Sequence, residues 1–289
     1  MRLGAPIFLK SEDPRDLARE HLRLGYGAAY CPPLQLNEPE RIRATSEAFA
    51  AAGVVIAEVG AWKNLLAADP IERRANFEYV RDRFALAEEV GARCCVAIAG
   101  SHNPTSWHGH DARDLSSVGF AEIVENARQL IDDVRPTRTK FVLEMMPWTL
   151  PDSPDSFLEL IRAVDRPAFG VHLDTVNIVN SPRRYFDTAG LLRECFAKLG
   201  PLVVSCHAKD IIMGTTLVVH LDEIRPGLGV LDYRVFLAEL ARLPSDTTLM
   251  VEHQPSAEEY DLAVAHIRDV AAENGLAFEQ GQAGMLAGR

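Results

Sequence analysis

Four residues of the kinds that bind metal ions each end a short apolar run in the second half of this sequence. The runs are FVLE, GVHLD, LVVSCH and LMVE, and they end at Glu144, Asp174, His207 and Glu252. The steps from 144 to 174, 174 to 207 and 207 to 252 are 30, 33 and 45 residues. A (β/α)8 barrel uses roughly 30 residues for each strand and helix, and its active site lies at the carboxyl ends of the strands. The spacing therefore predicts that this quartet converges at the ends of strands five to eight.

Two glutamates, one aspartate and one histidine form an oxygen-rich donor set that suits a hard divalent cation such as Mn²⁺ or Mg²⁺. Such a cation polarises a carbonyl group and acidifies the neighbouring C–H bond. Strands five and eight are three positions apart in a ring of eight, so Glu144 and Glu252 are expected to face each other across the cation. One can remove the proton while the other returns one, which makes these two glutamates the candidate catalytic residues. A single acid at a strand end is usually a solvated side chain, and the regular spacing of four favours a site.

Short apolar runs alternate with amphipathic stretches along almost the whole chain, which predicts a parallel sheet with interposed helices. An open doubly wound sheet is the alternative, but it usually carries a glycine-rich phosphate loop after its first strand, and LGAPIFLKSEDP has none. We therefore predict an α/β fold, a single-domain (β/α)8 TIM barrel over residues 1–275, followed by a C-terminal tail at 276–289. The predicted strands are 5–9, 28–31, 54–59, 94–99, 141–146, 168–174, 202–207 and 248–252.

Two connections are unusually long for such a barrel. Residues 100–114 follow the fourth strand and residues 211–232 follow the seventh. Both leave the carboxyl-terminal face, where long loops usually form lids or substrate walls. The first contains His102, His108 and His110, whose irregular spacing argues against a second metal site. We expect His102, which is nearest the strand end, to contact the substrate.

The composition excludes several classes of partner. The chain has 289 residues, with 30 Lys and Arg against 41 Asp and Glu, a net charge of −11. Such a surface repels phosphate backbones, so we expect no nucleic-acid partner. The five cysteines, an odd number, indicate free thiols in a reducing cytoplasm rather than a disulfide framework. The start of the chain, MRLGAPIFLKSEDP, has no long apolar segment, which predicts neither a secretory signal nor a membrane span.

Several segments resemble the sugar phosphate isomerase/epimerase family within the xylose-isomerase-like barrel superfamily, to which ketose 3-epimerases and inosose and 3-dehydroshikimate dehydratases are related. These segments are LEMMPW, HLDTVNIV, CHAKD, RPGLGVLDY and VEH. The resemblance implies that the quartet binds one Mn²⁺, Mg²⁺ or Co²⁺, with Mn²⁺ favoured, and that Arg225 holds substrate oxygens. Two positions depart from the epimerases, because Asn177 and Leu150 stand where those enzymes carry a substrate-binding histidine and a further glutamate. The metal site is therefore expected to carry over better than the substrate.

Other polar and aromatic residues near the predicted strand ends are candidates for contacting the substrate. His172 should point to the same side of its strand as Asp174, where a hydrogen-bonded core histidine is an equal alternative. Lys209 could place a positive charge beside a substrate oxygen, or it could pair with a strand-end acid. The tryptophans could stack on a sugar face or pack within their loops. The candidate substrate-binding residues are Glu58, Trp62, His102, Trp148, His172, Asn177, Lys209 and Arg225.

The leading hypothesis is a metal-dependent isomerase or epimerase that acts on a carbohydrate through an enediolate. A lyase on the same scaffold, which eliminates a group β to the carbanion, is the second hypothesis. Endonuclease action on abasic DNA would need more histidine ligands and a basic face. This chain has neither, which disfavours that hypothesis. A barrel that binds a sugar or a protein without turnover would be favoured if the quartet bound no metal. We expect a small carbohydrate as substrate and a homo-oligomer, a dimer or tetramer, with a hetero-partner left open.

Overall fold

Eight parallel strands form the central sheet of the computed structural model, which describes residues 1–281. Two further strands form a separate antiparallel hairpin within this part of the chain. In chain order the ten are β1 (Arg2–Gly4), β2 (Ala28–Tyr30), β3 (Val55–Ala61), β4 (Cys94–Ala97), β5 (Lys140–Glu144), β6 (Phe169–Leu173), β7 (Val203–Ala208), β8 (Asp210–Met213), β9 (Leu221–Ile224) and β10 (Thr248–Val251). The large sheet has the order β1-β10-β7-β6-β5-β4-β3-β2. This order confirms the predicted single-domain TIM barrel.

Helices connect the barrel strands, and their ends follow from the local sequence. Asp13 and Asp69 cap two of them by accepting hydrogen bonds from the N–H groups of Arg15 and Ile71, each with a proline at the start of the helix. Gly91 ends the helix that Asp69 begins, and it does so in the left-handed conformation (φ 77°), which glycine adopts without strain. Within residues 1–281 the helices are α1 (Pro14–Arg23), α2 (Pro39–Ala51), α3 (Pro70–Val90), α4 (Ser117–Val134), α5 (Pro154–Val164), α6 (Pro182–Tyr185), α7 (Thr188–Leu199), α8 (Tyr233–Leu240) and α9 (Ala257–Glu273).

The first strand differs from the prediction. Residues 5–9 were expected to form it, but β1 is Arg2–Gly4, and Leu3 pairs with Leu249 of β10. Pro6 explains the difference, because proline has no N–H to donate to a neighbouring strand. On its other side β1 contacts the β2 region through a hydrogen bond from the Gly27 N–H to the Leu3 carbonyl (3.0 Å). The barrel therefore closes at this seam without a regular ladder.

The sequence predicted a long loop after β7, but part of this connection forms regular structure. It contains the β8–β9 hairpin, in which Ile211 pairs with Glu223. The carboxylate of Asp210 then accepts hydrogen bonds from the backbone N–H groups of Gly227 (3.0 Å), Gly229 (3.1 Å) and Leu231 (2.8 Å). These bonds hold the segment after β9 against the carboxyl-terminal face of the barrel.

The predicted C-terminal tail is described only in part. Leu276 and Phe278 pack against the main apolar core, and the Glu279 N–H donates to the Met1 carbonyl (2.9 Å). Residues 282–289 lie outside the described part of the chain, so the boundary at residue 275 stays a prediction. No helix among residues 1–281 is long and apolar enough to cross a membrane.

Candidate metal centre

The quartet converges at the carboxyl ends of four strands. Glu144 is the last residue of β5, Asp174 directly follows β6, His207 lies near the end of β7, and Glu252 directly follows β10. One ligand atom from each lies within 4.8 Å of the other three, and all four residues are buried. His207 Nδ1 is 2.9 Å from Glu252 Oε1, 3.5 Å from Glu144 Oε1 and 3.6 Å from Asp174 Oδ2. The imidazole nitrogen and three carboxylates thus surround a common point.

Three buried atoms of this cluster have no partner in hydrogen-bonding geometry among residues 1–281. They are Asp174 Oδ2, His207 Nδ1 and Glu252 Oε1. Lys209 Nζ lies within 2.7 Å of both of these carboxylate oxygens, an ion-pair distance without hydrogen-bond alignment. A buried polar atom without a partner costs about 1–3 kcal/mol, so such atoms are rare outside functional sites. A divalent cation would satisfy all three at once, and the hard donor set fits Mn²⁺ or Mg²⁺.

Glu58 of β3 orients His207, the histidine of this cluster, by a hydrogen bond. Its carboxylate accepts hydrogen bonds from His207 Nε2 (3.1 Å), His172 Nε2 (3.1 Å) and the Ser205 hydroxyl. With Nε2 carrying the proton, His207 presents the lone pair of Nδ1 to the quartet, as metal-binding histidines commonly do. Burial raises the pKa of Glu58, but its electrostatic interactions and hydrogen bonds with His207 and His172 outweigh this effect and hold that pKa well below its usual range.

Lys209 is almost fully buried beside the quartet. Besides its contacts with Asp174 and Glu252, its Nζ donates to Asn177 Oδ1 (3.1 Å) and lies 3.2 Å from Glu223 Oε1. Burial lowers its pKa, but the surrounding carboxylates, Asp174 foremost, raise it well above its ordinary value. The three carboxylates of the quartet carry three negative charges, which a divalent cation and this ammonium group together would neutralise.

A cavity of about 950 Å³ opens above the quartet at the carboxyl-terminal face. Glu144, which lines it, accepts hydrogen bonds from the Trp62 indole N–H (2.8 Å) and from Asn177 Nδ2 (3.2 Å). The cavity therefore gives a substrate direct access to this carboxylate. Five of the predicted substrate residues also line it: Glu58, Trp62, Trp148, Asn177 and Lys209.

The other three predicted substrate residues do not line this cavity. His172 is buried beneath it and bonded to Glu58. The ring of His102 is buried between Asp114 (Nδ1 to Oδ1, 2.7 Å) and Glu122. Arg225 donates to Glu259 (2.8 Å) and lines a smaller pocket beside the main one. A direct contact between these residues and a substrate stays a prediction.

Several lining residues were not among the sequence candidates. Trp107 comes from the histidine-containing loop after β4, and Glu223 comes from the unpredicted hairpin. Tyr30 and Tyr260 enter from the end of β2 and the start of α9. Trp107 could have been selected by its place in a long loop at a strand end, whereas the apolar context of Tyr30 and the helical context of Tyr260 carry no such signal.

The fold and the donor set define a TIM barrel with a candidate divalent-metal site at the carboxyl ends of its strands. The chain belongs to the xylose isomerase-like TIM barrel family, whose family model matches residues 23–270. The resemblance inferred from the sequence is thereby confirmed. No curated protein matches the sequence.

Solved structures share this fold at low sequence identity. Endonuclease IV from Thermus thermophilus is 18% identical, with a TM-score of 0.69 over 94% of this chain and 100% of that one. D-psicose 3-epimerase from Clostridium cellulolyticum H10, solved with D-tagatose, is 14% identical, with a TM-score of 0.67 over 96% and 100%. The probable 3-DHS dehydratase from Bacillus anthracis is 15% identical, with a TM-score of 0.66 over 93% and 98%. Similarity at this level of identity shows the fold alone.

Proposed function

We propose that this protein is a divalent-metal-dependent isomerase or epimerase of a sugar or related polyol ketone. The observation that supports this proposal is the meeting of Glu144 and Glu252 at one cavity, with ligand atoms within 4.8 Å of each other and of Asp174 and His207. A cation bound by these four residues would act as a Lewis acid toward the substrate carbonyl. The reaction is then a proton transfer at the carbon next to that carbonyl.

The residues around the two glutamates have separate roles in this proposal. Trp62 and Asn177 fix the orientation of the Glu144 carboxylate by hydrogen bonds to its two oxygens. One glutamate removes the proton from carbon, and the other delivers a proton to the opposite face, which inverts the centre. Lys209 supplies a positive charge next to the oxygen on which negative charge develops.

A lyase is the second candidate, and Asn177 favours it. This residue stands where the epimerases that the sequence resembles carry a substrate-binding histidine. Here it donates a hydrogen bond to Glu144 and accepts one from Lys209. The same proton removal, followed by loss of a group β to the carbanion, gives an elimination. The shared fold with a probable 3-DHS dehydratase is consistent with this outcome.

Endonuclease action is less well supported, despite the shared fold with endonuclease IV. The net charge is −11, and four glutamates line the cavity. A DNA backbone at this face would meet carboxylates rather than the basic groups that release its counterions.

We further propose Mn²⁺ as the cation and the cytoplasm as the compartment. The five cysteines, all free, favour a reducing compartment.

The first test combines metal analysis with isotope exchange. Protein purified without chelator is expected to hold about one divalent ion per chain. Incubation of ketoses with this protein in D₂O is expected to place deuterium on the carbon next to the carbonyl, read by NMR. An epimer or isomer as product supports the leading proposal, whereas loss of water or of an aglycone without an epimer supports the lyase.

The controls separate the metal site from general damage. Asp174→Ala is expected to lose the ion and the exchange, because it removes one of four ligands. Asp261→Ala, at an exposed position of α9, is expected to retain both. If Asp174→Ala kept its ion, the ligand assignment would be wrong, and if no ketone exchanged with the loaded protein, the barrel would be a binding protein.

A further inference from the structure

All three tryptophans of this chain line the same cavity. They are Trp62, Trp107 and Trp148, and they lie on the segments that follow β3, β4 and β5. Trp62 is the inner one, since its indole N–H reaches Glu144. Trp107 and Trp148 form an outer pair, with ring centroids 6.4 Å apart at 72° and with Trp107 48% exposed. A solvent-exposed indole at a cavity wall is available for stacking against a ring of a ligand.

The cavity is too large for a single sugar ring. A hexose has about twelve heavy atoms, and roughly 30 Å³ per atom, the volume of one liquid water molecule, sets an upper limit of roughly 360 Å³. The cavity measures about 950 Å³, near the top of the range for sites that enclose drug-sized ligands. More than half of it therefore remains when one ring lies at the quartet, and the outer tryptophan pair borders this space.

Away from the candidate metal centre, the cavity offers an anionic group only positively charged side chains that already have other partners. Its positively charged side chains are all engaged within the described residues. Arg83 donates to the carbonyls of Gly60 (3.0 Å) and Leu34 (3.1 Å), and Lys209 is surrounded by carboxylates. His253 lies 2.8 Å from Glu223. A phosphate or carboxylate on the second ring would have to compete with these partners for an ion pair, which disfavours a charged group there.

We infer that the substrate is an uncharged glycoside with two rings. The sugar ring lies at the quartet, and the second ring, an aglycone or another sugar, lies against Trp107 and Trp148. This inference rests on the proposed function for the place of the reacting ring, and on the tryptophans, the volume and the charges for the second one. Stacking on an indole contributes to binding without requiring a charge on the ligand.

Calorimetric titration with three neutral probes tests this inference: glucose, phenyl β-D-glucopyranoside and cellobiose. At least one of the two-ring probes is expected to bind about tenfold more tightly than glucose, because its second ring stacks on the indoles. Whichever binds more tightly identifies the second ring as aromatic or as a sugar. Trp107→Ala is expected to remove this advantage and leave the affinity for glucose unchanged, whereas Trp107→Phe keeps a ring and most of the advantage.

Phe186→Ala is the matched control, since it deletes an aromatic ring that is 76% exposed and lies outside the cavity. It is expected to leave all three affinities unchanged. Equal affinities for the three probes, or an advantage that survives Trp107→Ala, would overturn the inference. Asp174→Ala separates it from the proposed function: a two-ring advantage that persists there supports the outer subsite even if no isotope exchange is ever found.

Discussion

Glu58 is the residue on which the geometry of the candidate metal centre depends most. It lies beneath the cluster and contacts His207 and His172 but does not belong to the quartet. Its hydrogen bond to Nε2 sets which nitrogen of His207 faces the other ligands. Partners of this kind orient a metal ligand and increase its basicity, although they do not touch the metal.

Replacing Glu58 by glutamine is therefore expected to weaken metal binding about 10- to 100-fold. The amide has nearly the same shape, but it removes the negative charge that the two histidines face. Competition with a chelating dye measures the affinity, and the thermal unfolding midpoint shows whether the variant is folded. Glu159→Gln, at an exposed position of α5, is the control and should bind metal like the original chain. Unchanged affinity in folded Glu58→Gln would contradict the role given to Glu58.

The connections after the strands are fixed by side chains as well as by their own backbone. Asp114 holds the loop after β4, because it accepts hydrogen bonds from the Ser101 hydroxyl (2.6 Å), the His102 N–H (2.9 Å) and the His102 ring (2.7 Å). Trp107 lies in this loop. The buried His102 thus contributes to the shape of the cavity, because it supports the loop that carries Trp107.

Glu88 of α3 has a comparable role before β5. Its carboxylate accepts hydrogen bonds from the hydroxyl of Thr137 (2.6 Å) and from the backbone N–H groups of Thr137 (3.1 Å), Arg138 (3.0 Å) and Thr139 (3.1 Å). Partial burial raises the pKa of Glu88, but these hydrogen bonds outweigh it and lower that pKa to about 2. The ionised carboxylate therefore connects α3 to the start of the strand that carries Glu144.

We expect Glu88→Gln to lower the free energy of unfolding by about 1 kcal/mol at neutral pH, since solvent screens part of the interaction. A carboxyl group whose pKa is lower in the folded state stabilises that state at pH values above its ordinary pKa. This contribution is lost as the pH falls toward about 2. The difference between the two proteins should thus shrink below about pH 4.5, as urea unfolding at a series of pH values would show. Glu89→Gln, at the neighbouring position, should show no such trend. A difference independent of pH would contradict this explanation.

At the scale of the whole molecule, the quartet joins four strands that are consecutive in the sheet. β5, β6, β7 and β10 occupy neighbouring positions, and the barrel closes beyond β10 through β1, where the seam to β2 has no regular ladder. A cation held by all four strands would favour the folded barrel, because it binds the assembled site and not the unfolded chain.

Removing the metal with a chelator is therefore expected to lower the stability of the barrel. At a metal concentration about 100 times the dissociation constant, the contribution is about 2.7 kcal/mol, or roughly 5–10 °C in the unfolding midpoint for a domain of this size. Differential scanning calorimetry before and after metal is restored measures it. Asp174→Ala should show no metal-dependent shift, and an unshifted midpoint in the original chain would argue against the site.

The barrel and the convergence of the quartet followed from the sequence because both depend on patterns along the chain. Apolar runs at unit spacing identified seven of the eight barrel strands in nearly the right places, and a residue at the end of such a strand must lie at the carboxyl-terminal face. The first strand was misplaced because the run after Gly4 is as apolar as a strand, while Pro6 prevents it from pairing.

Only the tertiary structure decided which side chains meet inside the barrel. Glu58 reaches across the interior from β3 to His207 on β7, 149 residues away in the chain. The three tryptophans come from three different loops, and Lys209 contacts one acid of β9 and the two acids that directly follow β6 and β10. Contacts of this kind depend on how the closed sheet and its loops direct each side chain, and no local pattern encodes them. The sequence alone thus determined where a metal could bind, and the tertiary structure decided what surrounds it.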